Sequence, residues 1–137
     1  MNGLERAEKL FDTMGAFFLA TLRKDGTPDV RAISAVKADG LRTIWMISGD
    51  GTNKATEVAA NPRCMIYATT MDDDADYAEV RLWGRCDILR DAATIDSIWL
   101  DVYDAYFPAG KNDPNVRVFR FTTESGYFTT QEGRVEI

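Results

Sequence analysis

The sequence contains no histidine. That absence excludes Ser-His-Asp and Cys-His nucleophilic centres and histidine-ligated zinc. It also removes the commonest general acid and base. Cysteine is scarce: Cys64 and Cys86 both fall in strand-like patterns, with no C-x-x-C spacing. They read as buried thiols of a reducing compartment rather than as a disulfide or a metal pair. No apolar run approaches the about 20 residues of a membrane helix. The start, M-N-G-L-E-R-A-E-K-L, mixes charges and lacks the apolar block of a signal peptide. The expectation is a cytoplasmic protein with no membrane partner. Basic residues are outnumbered, 16 Lys and Arg against 22 Asp and Glu, for a net charge of −6. Non-specific nucleic-acid binding is therefore not expected, and any anion site must be local. Without imidazole, chemistry on this chain would rest on a bound cofactor.

What is present is ordinary globular material: 137 residues, 45% of them hydrophobic. One domain, residues 1–137, accounts for that length. Leu4, Ala7, Leu10, Phe11 and Met14 recur at helical spacing, which predicts an amphipathic helix over residues 3–14 ended by Gly15. Strands are predicted at 16–22 and 29–36, joined as a hairpin by Asp25-Gly26-Thr27-Pro28. Arg31 stands mid-strand among small and apolar residues, a position that requires a partner or an exit to solvent. Ala38-Asp39-Gly40 reads as a turn.

The stretch T-I-W-M-I-S-G-D-G-T-N-K-A-T-E-V-A-A-N-P, residues 43–62, reads as a strand buried on both faces, a glycine turn and a short helix. Thr52 or Asn53 would cap that helix and Asn61-Pro62 would end it. Lys54 then sits beside free N–H groups at a helix start, an arrangement suited to phosphate. A plain helix cap with a solvent-facing lysine fits the same residues. The spacing is not that of a nucleotide-triphosphate P-loop.

Beyond it, 63–70 is another apolar strand. Asp72, Asp73, Asp74 and Asp76 crowd a loop that lacks the spacing of a calcium loop and reads as a solvated turn. Residues 77–89 alternate: Ala78, Val80, Leu82, Gly84, Cys86 and Ile88 on one face, Tyr77, Glu79, Arg81, Trp83, Arg85 and Asp87 on the other. Trp83 among those charges is either an interface anchor or a core-edge residue. Asp91 opens a helix with the stripe Ile95, Ile98, Trp99 and Val102. Two last strands, 116–122 and 126–130, are separated at Glu124-Ser125. The fold class is mainly β with flanking helices: a six- to seven-stranded antiparallel barrel.

Several fragments, in order, resemble one family: F-L-A-T-L, D-G-T-P-D-V-R-A-I, I-S-G-D-G-T-N-K, A-N-P-R-C-M-I-Y, R-L-W-G-R-C-D-I-L, Y-F-P-A-G-K-N-D-P and V-F-R-F-T-T-E-S-G-Y-F. Together they cover nearly the whole chain. The sequence is similar to the FMN-binding split-barrel proteins related to pyridoxamine 5′-phosphate oxidase, and most of all to the bacterial general stress proteins. The resemblance implies a homodimer with FMN in a groove at the subunit boundary and a small-molecule redox substrate. Arg31 matches the strand arginine that holds the FMN phosphate, and Ala32 and Ile33 match backbone positions along the isoalloxazine. Ser48 stands where a hydroxyl residue closes the next strand. Thr52, Asn53 and Lys54 match a Ser-Arg-Lys phosphate grip in which Asn53 replaces the arginine. Glu79 replaces a glutamine that faces the flavin in the oxidase, and Trp83, or an aromatic from Tyr106, Phe107 or Tyr127 of the partner chain, would cover the ring face. The Arg-x-His substrate grip of the oxidase has no counterpart, so pyridoxamine phosphate oxidation itself is not expected. A flavin-binding module without turnover and a deazaflavin F420 reductase remain as alternatives; haem held by imidazole is excluded.

Overall fold

The structure is a computed structural model that describes residues 2–14, 16–70 and 77–137. Helix α1 (Gly3–Met14) opens with a reciprocal cap. The Asn2 side chain accepts the Glu5 N–H at 2.9 Å, and the Glu5 carboxylate accepts the Asn2 N–H at 3.0 Å. Ala7, Leu10 and Phe11 turn into the core, whereas Leu4, expected in the same stripe, is exposed. The expected stop at Gly15 and the acidic loop of Asp72, Asp73, Asp74 and Asp76 lie outside the described residues.

Strands β1 (Phe17–Leu22) and β2 (Pro28–Ile33) form the expected hairpin, with Leu22 opposite Pro28. The second strand ends at Ile33 rather than Val36, because the Val36 N–H already donates to the Trp45 carbonyl at 2.8 Å. That bond leads into β3 (Lys37–Asp39), which pairs with β4 (Thr43–Gly49). Ala38 and Asp39, expected in a turn, are thus strand, and the turn falls at Gly40 with φ +54°. Then follow α2 (Asn53–Ala60), β5 (Arg63–Thr70), β6 (Ala78–Leu89), α3 (Ala92–Ile98), β7 (Val116–Thr130) and β8 (Gly133–Glu136).

The eight strands form one antiparallel sheet in the order β2-β1-β5-β6-β7-β4-β3, with β8 also on β7. Its two edges, β2 and β3, are joined through residues 34–36 alone. Such a link spans at most roughly 14 Å, so the sheet must curl until its edges approach. No ladder joins them among the described residues. The result is a split barrel filled by Leu19, Ile44, Met46, Ile66, Leu82, Phe119 and Phe121. A second cluster, Ile95, Ile98, Phe107, Val116 and Val118, lies beneath α3. β4 stands between the two: Ile44 and Met46 are fully buried, while Trp45 and Ile47 are half-buried against the second cluster. The expected two-faced burial of β4 is therefore complete on one face only.

Three further expectations change. α3 ends at Ile98, and Val102, expected in its stripe, lies in a 3-10 turn with 61% exposure. The last two predicted strands are one strand of 15 residues. The β6–β7 register shifts beside Trp83 and Gly84, so Glu124-Ser125 marks a bulge rather than a turn. β8 had no sequence expectation at all. Cys64 and Cys86 are both free thiols, the second buried. Contact with the Cys64 thiol, then burial, pushes the Cys86 thiol far above its usual range.

At the bulge, a methyl group on Gly84 would overlap the Thr122 carbonyl oxygen. Gly84→Ala is expected to destabilise the protein by about 1–3 kcal/mol, read as a lower urea midpoint. An unchanged midpoint would show that β6 and β7 do not approach so closely.

Candidate functional site

The glycine turn after β4 delivers the chain to α2 through Thr52, whose backbone (φ −71°, ψ 156°) is that of an N-cap. The Thr52 hydroxyl donates to the Gly49 carbonyl at 3.0 Å and accepts the Ala55 N–H at 3.3 Å. It lies 3.2 Å from Ser48 Oγ, so the Ser48 hydroxyl is left to donate to it. One of the orphan N–H groups of the helix start is thereby satisfied, and the others face outward with the positive end of the helix dipole. Asn53 is exposed. Lys54, half-buried, forms no ion pair among the described residues. Burial, then repulsion from the Arg31 guanidinium, holds the Lys54 ammonium below its usual pKa. The two cations are thus close enough to repel one another.

Arg31 is anchored on the same side of the sheet. It stands opposite Leu19, on the inward face of β2. Its Nη1 donates to Thr21 Oγ1 at 2.7 Å and to the Leu19 carbonyl at 3.2 Å. Its Nη2 donates to Asp29 Oδ2 at 2.9 Å and to Glu57 Oε2 at 3.4 Å. The Glu57 side chain is only 10% exposed, and its other oxygen, Oε1, is buried without a hydrogen-bond partner. Burial first, then the neighbouring Asp29 carboxyl, raises the Glu57 pKa against the opposing pull of Arg31 and Thr21. Ser48, Thr52 and Lys54 thus stand at or beside the start of α2, and Arg31 reaches the same helix through Glu57. Asp29, Thr21 and Glu57 join them unannounced. The signal for two of these was there: Asp29 and Arg31 share a strand face at i, i+2, and Lys54 and Glu57 share a helix face at i, i+3.

Ala32 and Ile33 lie on β2, an edge strand paired only with β1. One row of its backbone N–H and C=O groups has no ladder partner. Ala32 points to the outer face of the sheet, where it begins a row that runs Ala32, Phe18, Tyr67, Arg81, Tyr127 from strand to strand. Glu79 and Trp83 flank Arg81 in that face. The Glu79 carboxylate accepts from the Tyr67 hydroxyl and from Arg81 Nη1, the latter at 2.6 Å. Burial alone would raise the Glu79 pKa, but hydrogen bonds from Tyr67, Tyr77 and Arg81 outweigh it and hold the carboxyl below its usual value. The Arg81 guanidinium lies over the Tyr67 ring at 5.2 Å, and Trp83 packs on Tyr127 with centroids 5.2 Å apart. In one chain this second group does not meet the first: Ala32 and Arg81 stand three strands apart, roughly 14 Å at ordinary strand spacing, and Arg31 points to the opposite face.

Between the two groups lies a cavity of about 360 Å³. The β1–β5 ladder stops at Ala20–Met65, and the strands diverge beyond it. Leu22, Pro28, Cys64, Met65 and Trp83 line the gap, and Thr21, the hydroxyl partner of Arg31, forms part of its wall. No group of three or more metal-ligating side chains occurs among the described residues. No described helix is long and apolar enough to cross a membrane.

The sequence profile of the pyridoxamine 5′-phosphate oxidase family matches residues 4–130. The chain belongs to the pyridoxamine 5′-phosphate oxidase family. Among solved structures, a Clostridium acetobutylicum protein related to general stress protein 26 of Bacillus subtilis is 25% identical, with a TM-score of 0.84; the match covers 98% of this chain and 92% of that one. A general stress protein 26 from Jannaschia is 27% identical, with a TM-score of 0.70 over 95% of this chain and 79% of its own. A haem-binding protein from Mycobacterium smegmatis shares the fold at 18% identity and a TM-score of 0.79, with 58% of its length covered. Comparison with curated proteins finds no match.

In this family member, Glu79 is a nearly buried carboxylate held by two phenols and a guanidinium. A lowered pKa means that Glu79 stabilises the fold above its unfolded pKa, near 4.5, and that this contribution is lost as pH falls through the lower folded value. Glu79→Gln is expected to cost about 1–3 kcal/mol at neutral pH, and the gap to the parent protein should narrow at pH 3. A constant gap, read by urea unfolding at both pH values, would assign the loss to packing instead.

Proposed function

We propose that the protein binds FMN as a homodimer and uses it in redox chemistry on a small molecule. The observation that carries this reading is the convergence of Lys54, Arg31 and the Ser48–Thr52 hydroxyl pair on the start of α2, beside the open edge of β2. A phosphomonoester fits there on three counts: an unpaired ammonium, hydroxyl groups, and the N–H groups of a helix start. Arg31 meets it on one condition. All four bonds made by its terminal nitrogens are to protein groups, two of them carboxylates, so a phosphate must displace one or share it. The missing cation at Asn53 leaves Lys54 as the main counter-charge.

When bound, FMN supplies hydride acceptance and donation at its N5. The chain's own part is to hold and orient. The unpaired backbone row of Arg31, Ala32 and Ile33 offers donors and acceptors along a flat ring. Glu79 and Trp83 reach that ring only from a second copy of the chain. The outer sheet face supports such pairing, since Phe18, Val30 and Trp83 are 39%, 62% and 36% exposed on one surface. Among the described residues no imidazole or thiol stands near Arg31, only its carboxylates, the Thr21 hydroxyl and the Lys54 ammonium, which also suits a second reading, a flavin-binding module without turnover. The chain has no histidine, so haem held by imidazole is excluded.

Mixing the purified protein with FMN should quench flavin fluorescence and shift its absorbance. Lys54→Ala should weaken FMN by about tenfold to a hundredfold while leaving riboflavin, which lacks the phosphate, unchanged. Equal losses for both ligands would remove the phosphate from the site. Oxidation of a reduced nicotinamide by the loaded protein, with a quinone or nitro acceptor, separates enzyme from binding module. Sedimentation should show a dimer, and Phe18→Glu should yield a monomer with weakened FMN binding; a monomeric parent protein would end the shared-groove arrangement.

A further inference from the structure

Two carboxylates share one nitrogen of Arg31. Asp29 Oδ2 and Glu57 Oε2 lie 2.9 and 3.4 Å from the same Nη2, and the two carboxyls interact with each other directly. With both ionised, the four charged groups of the cluster, Arg31, Lys54, Asp29 and Glu57, sum to zero. A phosphate dianion entering that cluster would then meet no net positive charge and two nearby anions. Glu57 is the more deeply placed of the pair, with side chains 10% and 34% exposed. Its Oε1 is buried with no partner, a position that costs a carboxylate far more than a carboxylic acid.

We propose that Glu57 takes up a proton when a phosphate group binds beside Arg31, freeing the guanidinium for the ligand. This rests on the FMN reading and adds that the site is proton-coupled. The groups acting on Glu57 come from two elements, Asp29 and Arg31 from β2 and the Thr21 hydroxyl from β1; Lys54 stands three residues back on α2 and is repelled by the same Arg31. An arriving phosphate adds negative charge to this set, and of its members Glu57 is the acid already raised by burial and by Asp29. The protonated carboxyl keeps one oxygen as acceptor for Thr21 and gains an O–H that can donate to Asp29. The coupling sets a sign. Affinity falls as pH rises, by up to about tenfold per pH unit where Glu57 ionises in the free protein but not in the complex. The phosphate's own second ionisation, near about 6, acts in the opposite direction below that pH.

The test is calorimetric titration of the whole protein with FMN, and separately with inorganic phosphate, at pH 7 in two buffers of different ionisation enthalpy. Proton uptake on binding is expected in the parent protein. In Glu57→Gln the uptake should vanish, and affinity at pH 8 should rise at least severalfold toward its value at pH 6. Binding without proton uptake overturns the proposal, and this arm needs no variant. Uptake that persists in Glu57→Gln also overturns it, by assigning the proton to Lys54 or Asp29. If phosphate binds with Glu57-dependent uptake but FMN does not bind, the proton-coupled anion site stands and the flavin reading falls. If neither ligand binds between pH 5 and 8, both fall.

Discussion

A guanidinium placed inside a sheet has to be satisfied, and the way Arg31 is satisfied organises this molecule. A charge taken out of water is tolerated only when paired and hydrogen-bonded. Arg31 meets that demand with a hydroxyl and a carbonyl from β1, a carboxylate from its own strand and a carboxylate from α2. The side chain therefore ties a helix to a sheet edge. Apart from that tie, α2 buries Ala55 and Val58, two small side chains for an eight-residue helix. With it, the helix start, Thr52 and Lys54 are fixed relative to β2, and two cations come close enough to repel one another.

The curled sheet supplies the second constraint. Edges joined by so short a link have to approach, and α1 and α2 fill what the strands leave uncovered. Where the β1–β5 ladder gives out, the sheet splits and a cavity opens beside the Arg31 cluster. The outward face is not a solvated surface in the usual sense. One arginine, Arg81, stands among the aromatic rings that run from Phe18 to Tyr127, and a nearly buried carboxylate, Glu79, is paired with it within that face. That face and the Arg31 cluster stand on opposite sides of one chain.

Much of this was legible in the sequence because it depends on local patterns. The hairpin of β1 and β2, the alternation of β6 and the capping of α3 by Asp91 follow from periodicity and cap chemistry, though β2 ends three residues early, and of the two cap candidates for α2 Thr52 takes the place. The errors fall where local pattern is silent. Lys37-Ala38-Asp39 carries no strand signal and becomes β3 only because β4 presents an edge to pair with. Glu124-Ser125 looks like a turn and is a bulge, since β6 on the other side holds β7 in line. Val102 continues the α3 stripe on paper, but the helix has already ended at Ile98, and the side chain is left largely exposed.

The same division runs through the site. Arg31, Ser48, Thr52 and Lys54 were recognisable because a charge amid small residues and a hydroxyl before a helix are each unusual in one dimension. By itself the sequence determined the element types, the family and the presence of two cations with no imidazole to assist them. Only the tertiary structure decided that Asp29 and Glu57 converge on one guanidinium nitrogen and that Glu79 faces away from Arg31. Residues 26 positions apart meet through the pairing of a helix with a strand edge, and no pattern along the chain records the distance between two elements once they fold.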